Sequence, residues 1–147
     1  MMDARCVETT DVSEIKVEEL GKKAIFLNKE RLPHRRIKMD GCVKKNETAA
    51  DFVVVKPDVG TVIIELKGKH VEHAAEQVNA TARFLRGIDH QPAKLAGLIV
   101  ASTYPKANGT VQKQQQKFYR EFKGPLHVVT KNYQFDFEKI LSAAGPL

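Results

Sequence analysis

Asp51, Glu65 and Lys67 bracket two apolar runs in the stretch DFVVVKPDVGTVIIELKGKH. A buried strand of Val and Ile has no folding use for two opposite charges. Glu65 and Lys67 therefore either mark an exposed edge strand, where charge discourages edge pairing, or form a site. Side chains alternate along a strand, so Ile63, Glu65 and Lys67 share one face while Val62, Ile64 and Leu66 take the other. Asp51 joins the charged face if it lies opposite Glu65 or Lys67. That register needs an odd number of loop residues, such as Asp58, Val59 and Gly60 with Gly60 left-handed. Two carboxylates and one ammonium then converge. Carboxylates held close resist ionisation unless a cation lies between them, and hard divalent ions such as Mg²⁺ or Mn²⁺ take oxygen ligands. Such an ion polarises a phosphate and lowers the pKa of bound water, and a lysine beside it neutralises developing charge. That combination is suited to phosphodiester hydrolysis.

The elements that must position these residues follow from periodicity. The segment 11–30 predicts a helix: Asp11 and Ser13 are cap candidates, and Val17, Leu20, Ala24 and Leu27 recur at helical spacing before Pro33. A strand is expected over Arg35 to Val43, then a hairpin formed by Phe52 to Val55 and Thr61 to Leu66. Val71, Ala74, Ala75, Val78, Ala82 and Leu85 predict a second helix entered straight from the hairpin. KLAGLIVAS reads as a strand covered on both faces, Val111 to Phe122 as a third helix, LHVVT as a last strand and DFEKILSAA as a closing helix. The expected class is α/β, with a meander at the start of the sheet.

The stretch ADFVVVKPDVGTVIIELKGKHVEHAAEQ resembles the core of the PD-(D/E)XK nucleases, the restriction-endonuclease-like superfamily, with a motif layout similar to its Holliday junction resolvase-like members. The resemblance implies an αβββαβ core, a central mixed sheet flanked by helices, with catalytic Asp51, Glu65, Lys67 and Gln77. Asp51 and Glu65 would hold Mg²⁺ or Mn²⁺, and the substrate would be nucleic acid, expected to be DNA cut by an endonuclease. The family's frequent extra glutamate would be Glu14 or Glu18. The sequence departs from the pattern at Ala50, which stands where the motif has proline. The literal Pro57-Asp58 pair lies in the turn, ~15 Å or more from Glu65 at ~3.3 Å per residue. A non-catalytic nucleic-acid-binding or regulatory module on the same fold is the alternative.

Bulk properties fit both readings. A chain of 147 residues is expected to form a single domain, and a net charge of +6 suits a polyanionic partner. Arg35, Arg36, Lys44, Lys45, Lys69, Lys113, Lys117 and Arg120 are candidate phosphate contacts. Cys6 and Cys42 are too few and too isolated for a disulfide framework or a zinc ribbon, which makes a reducing cytoplasm the default setting. No apolar run reaches the ~20 residues of a membrane span, and the N-terminus lacks a signal-peptide core. His70 and His73 have a spacing that zinc sites use, without a third ligand. A lone site cuts one strand, so double-strand cleavage calls for a dimer, such as a homodimer, or a second cutting event.

Overall fold

The hairpin predicted between Phe52 and Leu66 is the axis of the structure. In the computed structural model, which describes residues 2–68, 70–88, 93–103, 109–130 and 133–145, strands β5 (Phe52–Lys56) and β6 (Gly60–Gly68) pair antiparallel, with Phe52 opposite Ile64 and Lys56 opposite Gly60. The loop is Pro57, Asp58 and Val59, one residue earlier than expected. Asp58, at φ 66°, supplies the left-handed residue instead of Gly60. A Cβ at Gly60 would come within 2.5 Å of Leu141 Cδ1, so the Leu141 side chain would have to shift.

The hairpin sits inside a six-stranded mixed sheet in the order β1 (Val7–Thr10), β4 (His34–Lys38), β5, β6, β7 (Leu95–Ala101), β8 (Leu126–Val129). The first four strands in this order pair antiparallel. β7 joins β6, and β8 joins β7, in parallel. Helices α1 (Val71–Ile88) and α2 (Thr110–Phe122) make the crossovers that parallel pairing requires. Val53, Ile63 and Ile99 pack under these helices with Ala75, Val78 and Phe118. Val54, Val62, Ile64 and Leu66 pack on the opposite face. Both faces of β6 are therefore covered, which explains why its apolar run is continuous.

The second face is covered by a small sheet, β2 (Glu14–Glu19), β3 (Lys22–Leu27) and β9 (Gln134–Asp136), together with the short helix α3 (Phe137–Leu141). The helix expected over 11–30 is thus a β-hairpin. Ile15 and Val17 alternate inward with exposed Glu14, Lys16 and Glu18. Leu20 and Gly21, at φ 47° and 83°, form the two-residue turn with both φ positive that matches strand twist. Leu20, counted on the apolar stripe of the expected helix, is 76% exposed at the turn tip.

Two further corrections concern the N-terminal half. The strand expected over Arg35 to Val43 ends at Lys38, and residues 39–44 form a turn with Gly41 at φ 80°. Cys6 and Cys42 are joined by a disulfide across 36 residues of sequence. This cross-link removes the ground for a reducing cytoplasm, which rested on isolated cysteines. No helix among the described residues is long and apolar enough to cross a membrane.

Candidate functional site

Asp51 precedes β5 by one residue, and the register that sets Phe52 against Ile64 brings Asp51 opposite Glu65. Both carboxylates are buried, each 6% exposed, on the face covered by α1. The antiparallel ladder stops here because residues 49–51 are drawn to other partners. The Ala50 N–H donates to Thr81 Oγ1 at 2.8 Å, and the Gln77 amide donates to the Ala49 carbonyl at 3.3 Å. On the other side, Met39 N donates to Asp51 O and Asp40 N to Ala50 O, at 2.9 and 3.1 Å. Asp51 Oδ2 then accepts from Leu66 N at 2.8 Å, so a side chain completes the ladder where the backbone has turned away.

Glu65 lacks such support on one side. Its Oε1 is buried with no hydrogen-bond partner. Burial, reinforced by the charge of Asp51, by hydrogen bonding with it and by Asp40, pushes the Glu65 carboxyl up to about 9. Burial and the neighbouring Asp51 thus favour the protonated form of Glu65. A cation beside the pair would reverse this, because it favours the charged form. The orphaned oxygen of Glu65 and the carboxylate of Asp51 fit a hard divalent ion that takes one or two protein carboxylates and completes its shell with water or phosphate. Among the described residues no group of three His, Cys, Asp or Glu side chains could hold a metal.

The remaining sequence candidates separate. Lys67 belongs to β6, where pairing with β7 shifts register between Leu66 and Gly68; its side chain lies outside the described residues. Gln77 anchors the approach to β5 through Ala49. Glu14 and Glu18 are exposed on β2, in the layer across the sheet from Glu65, so neither takes the place of a first-helix glutamate. His70 and His73 are exposed. Lys69 lies outside the described residues. Arg36 pairs with Glu8, and Lys44 sits 4.1 Å from the centre of the Phe84 ring.

Sequence reasoning missed Asp40 and Thr81. Asp40-Gly41 is a turn signal, and Thr81 follows Gln77 by one helical turn on α1, but neither has meaning until the β4–β5 connection is traced. No protein-family model, curated protein or solved structure matches the chain.

Proposed function

We propose that this protein is a divalent-metal-dependent nuclease that hydrolyses phosphodiester bonds, with DNA as substrate and an endonucleolytic mode of attack. The observation that carries the reading is the opposed Asp51–Glu65 pair with its unpartnered buried oxygen. A folding role alone gives no reason to bury two carboxylates together. The run β4, β5, β6, α1, β7 supports a restriction-endonuclease-like core from its first strand onward. The leading helix of the αβββαβ pattern has no counterpart in the segment 11–30, where β2 and β3 stand instead.

In this reading Asp51 and Glu65 would hold Mg²⁺ or Mn²⁺, which would supply charge stabilisation at the phosphate and an acidic water. Asp51 is fixed by Leu66 N, so its carboxylate is set before substrate arrives. Glu65 would release its proton to solvent on binding a cation. Lys67 neutralises charge developing on the phosphate, and Gln77 acts as a positioning residue through Ala49. A homodimer would bring two such sites to a duplex. A cytoplasmic setting requires the disulfide to persist against a reducing thiol pool.

The experiment is incubation of purified protein with supercoiled plasmid and with short branched or single-stranded substrates, in Mg²⁺, Mn²⁺ or chelator. Metal-dependent cleavage by the native protein, absent in Glu65→Gln, is the expected result. Cleavage unchanged by chelator or by that substitution would refute the reading. A non-catalytic module is the second reading, favoured by the structural use of Asp51 Oδ2 and of Gln77.

A further inference from the structure

Among the described residues some surface cations are paired with acids and others, Lys29, Arg31, Lys94 and Lys139 among them, are not. Arg5, Arg36, Lys38, Lys56, Arg83 and Arg86 each face a carboxylate. On the outer face of α2 unpaired cations are aligned along one helix. Lys113, Lys117 and Arg120 follow one another at i, i+4 and i+7, all exposed, and none has an ion-pair partner among the described residues. The one acid of the helix, Glu121, is turned to Arg83 and Arg86 of α1. At ~1.5 Å rise per residue the basic stripe is ~10 Å long, the spacing of about three phosphates in a stacked strand.

A second stripe borders the first. Gln112, Gln116 and Tyr119 repeat the same spacing one residue earlier and line a cavity of about 590 Å³ that opens between α2 and β8, floored by Leu126 and His127. Tyr119 is 57% exposed, an aromatic ring left in solvent at the rim of a cavity with primary amides beside it. Burial lowers the pKa of His127, whose Nε2–H donates to Ile140 O at 2.8 Å, so it adds no anion-binding charge. The volume is in the range of small-molecule sites and admits a nucleobase.

We propose that α2 and this cavity form a binding site for single-stranded nucleic acid, with one unpaired base stacked on Tyr119 and hydrogen-bonded by Gln112 and Gln116, and its phosphates on Lys113, Lys117 and Arg120. Aromatic stacking tolerates any base, and amide groups read base edges only when those edges are unpaired. β8 is separated from the Glu65-bearing strand by β7 alone. The inference deepens the nuclease reading and rests on it for the link between this face and the carboxylates.

The test is fluorescence anisotropy in chelator, where nothing is cut, with ~12-nucleotide oligothymidylate, oligouridylate and a duplex of the same length. Single strands should bind more tightly than duplex. Tyr119→Ala should weaken single-strand binding by about fivefold or more, and Tyr119→Phe should restore it. Lys117→Gln with Arg120→Gln should reduce the slope of log affinity against log salt by about 1.4, at ~0.7 per phosphate contact. Equal affinity for duplex and single strands, or no effect of Tyr119→Ala, overturns the proposal. Strand binding with these dependences in a protein that never cleaves would support it while removing the nuclease reading.

Discussion

Asp51 and Leu66 are joined by a hydrogen bond from the Leu66 amide to Asp51 Oδ2 at 2.8 Å, which fixes one carboxylate of the pair through the strand that bears the other. Any shift of β6 against β5 therefore moves Asp51 and Glu65 together. Asp51→Asn can keep this bond through its amide oxygen, whereas Asp51→Ala leaves a buried N–H unpaired at a cost of about 1–3 kcal/mol. Urea unfolding should accordingly rank the alanine variant well below the asparagine variant. Equal stability of the two would mean that the bond contributes nothing.

Glu65 makes stability fall as pH rises. Its folded pKa, about 9, lies above the ordinary carboxylate value of 4.5. Between those values the native state holds a proton that the unfolded chain has lost. Stability is then complete below pH 4.5 and declines toward pH 9, by at most about 1.4 kcal/mol per unit for one proton. Glu65→Gln should flatten this dependence and be the more stable protein at pH 8. A wild-type melting temperature that rises between pH 6 and pH 8 would contradict the assignment.

Divalent metal should reverse that pH effect. An ion that binds only the folded pair adds RT ln(1 + [L]/Kd), about 2.7 kcal/mol at ~100 times Kd. Because the ion displaces the proton on Glu65, affinity should rise up to about tenfold per pH unit until Glu65 ionises unaided. Calorimetry in two buffers of different ionisation enthalpy should reveal the released proton. The absence of any Mg²⁺ or Mn²⁺ heat at millimolar concentration, with or without nucleic acid, leaves the binding-module reading.

Lys67→Ala should abolish cleavage and leave folding and nucleic-acid binding largely intact, since the ammonium is assigned to developing charge. The comparison needs plasmid nicking and anisotropy on the same preparations. Undiminished nicking by the variant would remove Lys67 from the chemistry.

Thr81→Val deletes the acceptor of the buried Ala50 N–H and should cost about 1–3 kcal/mol in urea unfolding, with weaker metal binding because the lead-in to Asp51 loosens. A change below about 0.5 kcal/mol, the scale of a neutral surface substitution, would show that this bond does not hold the segment.

The parity of the hairpin was enough to bring Asp51 and Glu65 to one face, because a period of two leaves few registers and both flanking runs are apolar. The same argument failed for 11–30. Val17, Leu20, Ala24 and Leu27 satisfy helical spacing by coincidence, while the alternation of Ile15 with Val17 and of Ala24 with Phe26 about Leu20-Gly21 is the pattern that packs. Leu20 and Leu27, two of the four residues that suggested the helix, are exposed. The turn holding Asp40 and the pairing of Cys6 with Cys42 depend on tertiary path, which spacing along the chain does not encode.

The bond between Cys6 and Cys42 turns residues 6–42 into a closed ring that contains all of β1 to β4. By the chain-entropy relation a ring of this size restricts the unfolded chain by about 4 kcal/mol. It also changes what backbone scission means. Lys29, Glu30, Arg31 and Leu32 form an exposed connection between β3 and β4, with Arg31 at φ 54°, where trypsin has access. A cut there opens the ring into a branched molecule without releasing a fragment. The strand that leads to Asp40 would remain tethered to the N-terminus through sulfur, and only a gel run with reductant would reveal the two pieces.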